Sequence, residues 1–460
     1  MPIRGRPWPQ GGSRSCVRPR QAPDMNEATK TAAAAFFGSL SKVLSSRTGK
    51  TSIMVLTGSL VSALCGFIVN IAFAKQLGPA NFGLLSATLV FMNICIQITD
   101  FGTGKSIVRL SSGNHDLGIS KKEVYSTSLL FRLAASVAIA LIVYLSADSV
   151  GTGLLKNPEL APYIRIACAG ILIGGIGQTF LSILQEQEMF ASYSADKVLT
   201  AVLKIVLVAS IAWFFGLTVI YALWITVASI AAGAIFAYII MPGGNFLWSA
   251  VSTGAFTKIF SYTRWVAIVQ VSSILTMNLP ILILSRYSVP DQVGLYSAAL
   301  NIALGFGLVA ESLAVVLLPR YSKESSLSEL RLLNKKVTRL LAIFAVPAAA
   351  IILNADAIMG ILYGGDYSKA GVILQVAVLA ALINLSFISY STLLYRVKRA
   401  YYVSIDAVLR LLMTIALGVV LVDMYDALGI AVAVLITRAA AAIYTFFVIR
   451  YSFRNEQVTG

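Results

Sequence analysis

From about residue 52 onward, runs of some twenty mostly apolar residues follow one another along nearly the whole chain. A helix crossing a bilayer needs about 20 such residues, and in hydrocarbon each backbone N–H and C=O must find its partner inside the segment itself. The chain therefore reads as an all-α, polytopic membrane protein. Charge agrees. Only 12% of the residues are charged and 58% are hydrophobic, with a mean hydropathy of +0.82, whereas water-soluble proteins carry roughly 25% charged residues. A soluble enzyme is excluded.

Twelve spans are expected, at about 52–74, 83–104, 124–146, 160–184, 197–216, 218–240, 262–284, 293–317, 337–358, 370–393, 402–423 and 428–449. The net charge of +16 would suggest nucleic acid in a soluble protein, but here its placement matters more. With the N-terminus in the cytoplasm, only Lys75, Lys156, Arg165, Arg286 and Lys369 fall on the opposite side. Arg132, Lys204, Arg410 and Arg438 fall inside spans, and the rest of the 36 cations are cytoplasmic. The positive-inside rule thus puts both termini in the cytoplasm and explains the excess without a nucleic-acid partner.

Residues 1–24 are rich in Pro, Arg and Gly, cannot build a core, and lack the apolar stretch of a signal peptide. Met25 is the expected true start. Residues 25–50 place Phe36, Phe37, Leu40, Val43 and Leu44 among Lys42, Arg47 and Lys50, a pattern for a helix on the membrane surface or for a disordered tail. The remaining organisation expected is an N-lobe at 52–241, a cytoplasmic linker at 242–261, a C-lobe at 262–450 and a cytoplasmic tail at 451–460.

The two lobes follow from an internal repeat. Pro79-Ala-Asn-Phe-Gly-Leu-Leu-Ser-Ala-Thr-Leu89 returns as Pro290-Asp-Gln-Val-Gly-Leu-Tyr-Ser-Ala-Ala-Leu300, with six of eleven positions identical. The same offset pairs Asp100 with Glu311 and Arg109 with Arg320, and a second block pairs Ser194, Asp196, Val198 and Leu199 with Ser404, Asp406, Val408 and Leu409. Six spans per lobe is an even number, so both lobes enter from the same side and form a parallel repeat about a central cleft. This is an alternating-access architecture; a channel or a membrane enzyme with a fused repeat shares the pattern.

Several motifs resemble those of the Wzx-type oligosaccharide flippases. Gln76-Leu-Gly-Pro-Ala-Asn-Phe-Gly83 is similar to that family's L-G-P-x-x-Y/F-G loop, and Asp100-Phe-Gly-Thr-Gly with Arg109 beyond it to its D-F/L-G-x-G…R pattern. Val293-Gly-Leu-Tyr-Ser-Ala298, Leu318-Pro-Arg-Tyr-Ser322 and Leu362-Tyr-Gly-Gly-Asp-Tyr-Ser-Lys-Ala370 fit in the same order. The resemblance spans roughly residues 50–450 and places the chain in the multidrug/oligosaccharidyl-lipid/polysaccharide exporter superfamily. It implies two bundles around a cavity in the bacterial inner membrane, moving an undecaprenyl-pyrophosphate-linked glycan. The implied partners are that substrate, membrane lipids, and a polysaccharide polymerase and glycosyltransferases. In one place the sequence departs: Gln185-Glu-Gln-Glu-Met-Phe190 is acidic where the family often has a basic, glycine-containing turn.

Ionised groups inside a bilayer cost about 2.5–3.5 kcal/mol each on insertion scales, and so usually face protein or water. Arg132, Lys204, Arg410 and Arg438 are accordingly the candidate cleft cations for a pyrophosphate, the other readings being snorkelling or pairing with an acid. Asp100 and Glu311 are candidates for coupling or gating, or for a helix-end ion pair. Gln178, Asn278 and Asn301 could bond sugars or join helices. Gly170 and Gly174 form a GxxxG for close packing, and Pro280 and Pro347 are expected to kink their spans. Gly102-Thr-Gly-Lys-Ser106 is no Walker A, because the first glycine that motif needs is Thr99 here; ATP is not expected. A lone His115, and Cys16, Cys65, Cys95 and Cys168 without ligand spacing, give no expectation of a metal, a cofactor or a catalytic cluster. Two alternatives stay open at this stage. A cation-coupled drug exporter would want acids in its cavity, and a glycan polymerase or ligase would want a large outer loop, which this chain lacks.

Overall fold

The break between the first two spans shows how the sequence builds this bundle. Helix α1 (Arg47–Asp100) is interrupted at Gly78, whose φ is +71°. L side chains avoid that conformation, and Pro79, with no N–H to donate, is suited to start the next helix. The computed structural model describes residues 47–112, 120–241, 251–323, 327–394 and 401–456. The expected surface helix up to residue 46, residues 242–250 of the linker and His115 lie outside the described residues. All contacts given below lie within residues 54–460, which form one compact unit.

After α1 come α2 (Thr103–Ser112), α3 (Lys121–Leu145), α4 (Leu160–Glu186), α5 (Phe190–Phe214) and α6 (Val219–Ile240). Then follow α7 (Thr253–Tyr287), α8 (Pro290–Lys323), α9 (Leu327–Leu341), α10 (Ala345–Leu353), α11 (Ala355–Tyr363), α12 (Gly371–Leu394) and α13 (Tyr401–Glu456). Among the described residues, nine helices are long and apolar enough to cross a membrane. Two of these, Met54–Asp100 and Ile405–Tyr451, run for 47 residues each. That is about twice what one crossing takes, and each is broken midway, at Gly78 and at Asp426. The α3 start is fixed by a capping box in which the Ser120 hydroxyl accepts from Glu123 N at 3.2 Å and Glu123 accepts from Ser120 N at 2.8 Å. Ala342–Phe344 form a 3-10 turn just ahead of Pro347, where the sequence predicts a kink.

Within the first half, α4 packs on α3 and α6, and α5 on α6. Within the second, α12 packs between α8 and α13, and α7 on α13. Apolar burial gives little drive for helix association in lipid, so close approach of small residues matters more. Gly174 lets α4 approach α1: a Cβ there would come within 2.7 Å of Ile96 Cδ1, and Gly170 is pressed against Met92 in the same way. The outward faces are apolar, as lipid requires: Ile239 is 72% exposed and Leu145 75%. Trp213, Phe214 and Phe215 stand exposed at the end of α5, a position suited to the bilayer interface.

The two copies of the repeated segment meet. A Cβ on Gly83 would come within 2.9 Å of Gly294 N, and one on Gly294 within 2.8 Å of the Pro79 carbonyl carbon. Each glycine thus admits the proline end of the other segment. Tyr367 ties the same end together, donating to Ala74 O at 3.0 Å.

Candidate functional site

The second long hairpin places two arginines in one cavity. Arg410 and Arg438 lie on opposite arms of α13, each roughly 20 Å from the break at Asp426 at 1.5 Å per residue, so they reach similar depth. Both line a cavity of about 860 Å³ walled by α1, α7, α8, α12 and α13, together with Asn70, Asn278, Asn301 and Tyr296. Among the described residues no carboxylate lines it. Arg410 is ion-paired with Asp406 one turn earlier, and Arg438 donates to Asn384 Oδ1 at 2.6 Å. The two guanidiniums also act on each other electrostatically. Asn301 is held by neighbours at both ends of its amide: it accepts from Asn70 Nδ2 at 3.4 Å and donates to Tyr363 Oη at 3.1 Å. Asn278 donates to Ile274 O at 2.9 Å on its own helix.

Two of the four expected cleft cations lie elsewhere. Lys204 and Gln178 line a separate cavity of about 440 Å³ within the first half. The Lys204 ammonium stands 5.6 Å from the Phe73 ring centroid, a cation–π contact worth more when desolvated. Arg132 is 2% exposed and ion-paired with Asp100, and it donates to Thr179 Oγ1 at 3.4 Å. Of the readings open for these four, pairing with an acid holds for Arg132 and Arg410, each of which has a carboxylate beside it.

Asp100 closes α1 and caps α2. Its carboxylate accepts from Thr103 Oγ1 at 2.8 Å and Gly104 N at 2.9 Å, in addition to Arg132. It also accepts from Gln270 Nε2 of α7 at 2.7 Å, which joins the two halves of the chain. Among the described residues the ion pair of Asp100 is with Arg132, not with Lys105. Glu311 lies on α8, and its side chain is outside the described residues. The acidic turn after α4 has a structural explanation: Glu186 is buried, accepts from Lys121 Nζ at 2.9 Å, and is bonded by the Tyr125 hydroxyl.

Sequence reasoning passed over four residues here: Asp196, Gln270, Asn70 and Asn384. Asp196 is 4% exposed, lines the smaller cavity, and has one carboxylate oxygen with no hydrogen-bond partner. Its pairing with Asp406 in the repeat was the available signal. Four residues beyond each, the copies differ: Arg410 neutralises Asp406, whereas Thr200 stands after Asp196. Nothing in the sequence marked Gln270, Asn70 or Asn384 among the many amides of the chain.

Chemically, a cavity with two arginines and no carboxylate among its described lining residues favours an anion, and guanidinium forks match phosphate oxygens. The family model described as "Polysaccharide biosynthesis protein" matches residues 48–325. The lipopolysaccharide biosynthesis protein WzxC of Escherichia coli is 22% identical over 326 residues, covering 69% of this chain. That match spans 64% of the relative's own length, under two thirds of it. A putative O-antigen transporter of Shigella flexneri is 22% identical over 340 residues, covering 69% of this chain and 77% of the relative. Among solved structures, the lipid II flippase MurJ in an inward closed conformation superposes with a TM-score of 0.70 at 15% identity, over 86% of this chain and 87% of its own. An inward-facing multidrug resistance transporter of the MATE family gives 0.71 at 16%, over 89% and 99%. At these identities the structural likeness speaks for the fold.

Proposed function

From the premise that the chain belongs to the polysaccharide biosynthesis protein family, we propose that it is a flippase, not an enzyme, that carries a lipid-linked oligosaccharide across the membrane during surface-polysaccharide assembly. The observation that carries this reading is the central cavity lined by Arg410 and Arg438, with no carboxylate among its described lining residues, where the two arginines can hold the pyrophosphate that links glycan to lipid. A drug-cation exporter, the alternative from the same superfamily, would want carboxylates where these arginines stand. The names of the Escherichia coli and Shigella flexneri relatives point the same way.

In this reading the two 47-residue helices each cross twice, so the nine long apolar helices supply eleven crossings, and α7 is taken as the twelfth: spans 1–6 in an N-lobe at 52–241 and spans 7–12 in a C-lobe at 262–450. The reciprocal contact of Gly83 and Gly294 supports a parallel repeat. The cation distribution supports an inner-membrane protein with both termini cytoplasmic. Asp100, linked to Gln270, is then a contact between lobes that breaks and re-forms as the cleft opens to one side and then the other; Glu311, its repeat counterpart, is proposed for the matching role. Glycosyltransferases that build the substrate and a polymerase that consumes it are the expected partners.

The test is transport itself. Vesicles containing the full chain are loaded with polyprenyl-pyrophosphate-linked hexose, and external pyrophosphatase cleaves what it can reach. Exchange between leaflets exposes the lumenal pool, so cleavage should pass the half that protein-free vesicles allow. Cleavage that stops at the protein-free level refutes the proposal.

A further inference from the structure

The smaller cavity is not an isolated void. Gly66 of α1 lines it and lines the central cavity as well, so the two adjoin at this residue. A Cβ built on Gly66 would meet no atom within 4 Å, so there is space beside it that a bulky side chain would fill. The smaller cavity measures about 440 Å³. Ligand pockets run from about 300 to 1,000 Å³, and this one has room for more than a single hexose.

Its lining is chemically unlike that of the central cavity. Among the described residues, Asp196 offers a buried carboxylate oxygen without a partner, Gln97, Gln178 and Asn93 offer amides, and Lys204 offers an ammonium that no carboxylate pairs. A buried acceptor left unmade is costly and commonly meets a ligand or water. Sugar hydroxyls donate and accept at once, so they suit a wall that mixes carboxylate, amide and ammonium. The arginine pair and this polar wall lie on the two sides of Gly66, a pyrophosphate site on one side and a hydroxyl-binding site on the other.

We propose that the cavity lined by Asp196, Gln178 and Lys204 is a saccharide compartment, entered past Gly66, that receives the distal sugars of the glycan while Arg410 and Arg438 hold its pyrophosphate. This rests on the flippase reading above, and it adds that the chain selects substrates by glycan length and by the hydroxyls of sugars remote from the lipid.

The experiment measures the affinity of the full chain in lipid nanodiscs for two probes, a short polyprenyl pyrophosphate bearing one hexose and the same lipid bearing four. The wild-type chain should bind the four-hexose probe at least tenfold more tightly. Gly66→Phe, which blocks the junction, and Asp196→Asn, which is isosteric, should each cut that advantage to under threefold, and their remaining affinity for the one-hexose probe reports that they are folded. The compartment is overturned if the wild type shows no preference for the longer probe, or if the preference survives in both variants. The two proposals fail separately. A chain that binds neither probe overturns the flippase reading and the compartment with it, whereas a chain that binds the one-hexose probe but does not discriminate overturns the compartment alone.

Discussion

Arg410 and Arg438 face the same cavity, yet their surroundings predict different consequences when each is removed. Arg438 bonds an amide, Asn384; Arg438→Ala therefore leaves a neutral carbonyl beside a cavity that water can enter, and the fold should lose about 1 kcal/mol or less, the net worth of an ordinary hydrogen bond. Arg410 is paired with Asp406, whose side chain is 8% exposed. Arg410→Ala strands that carboxylate, and because the arginine itself is a third exposed and screened, the cost is put at about 1–3 kcal/mol. Toward a pyrophosphate the two should act alike. A hydrogen bond to a charged group contributes about 1.5–3 kcal/mol, and at 1.4 kcal/mol per decade each variant should weaken binding by about 10- to 150-fold. Arg438→Lys keeps the charge but loses the planar fork, so it should fall between the alanine variant and the wild type. The assay is the dissociation constant for the one-hexose pyrophosphate probe in nanodiscs, beside a thermal melt of the same samples. An Arg438→Ala variant that binds within twofold of the wild type would show that the guanidinium does not meet the anion. Equal destabilisation by both alanine variants would refute the argument from Asp406.

Arg132→Ala should lower stability more than either, by about 3–5 kcal/mol, because it leaves Asp100 charged and buried at the junction of α1 and α2; a melt within 2 °C of the wild type would contradict that burial. Gly78→Ala should cost about 1–3 kcal/mol, purely from backbone conformation, since a Cβ there meets no atom within 4 Å; denaturation of the variant measures it, and an unchanged midpoint refutes it. Gly83→Ala and Gly294→Ala should each pry apart the contact between the two repeat copies, so that a cysteine at Asn70 in the cleft reacts faster with a membrane-impermeant maleimide; an unchanged labelling rate would mean the contact does not seal the cleft.

Much of the fold was legible because membrane crossing is a local property. The apolar runs, the Gly78-Pro79 break and the small-residue face of α4 all depend on residues within a few turns of one another. The site was only partly legible, because rotation about a helix axis decides which face a buried charge presents. Arg410 and Asp406 are one turn apart, so their pairing could have been read from spacing. Arg132 and Asp100 lie on different spans, and only packing shows that their side chains converge. Arg132 and Arg438 both read as lone cations in apolar runs, yet one closes a helix junction and the other lines the cleft.

The repeat gives both halves the same carboxylate, Asp196 and Asp406, but answers it differently. In the second half Arg410 follows one turn later, neutralises the acid and turns that wall cationic in company with Arg438. In the first half Thr200 occupies the matching place, donating to the Asp196 backbone carbonyl at 3.0 Å, so no arginine neutralises the acid from that position. Duplication alone would have produced two identical walls, either of which could hold any part of a substrate. The exchange of one residue for another makes the walls unlike, and under the proposed reading a substrate anionic at its lipid end and rich in hydroxyls at the other would lie across Gly66 in one preferred orientation. Orientation matters for a flippase because the lipid tail must stay in the bilayer while the glycan turns over. A cleft that fixes which end of the glycan faces which lobe keeps the tail at the same opening throughout the passage.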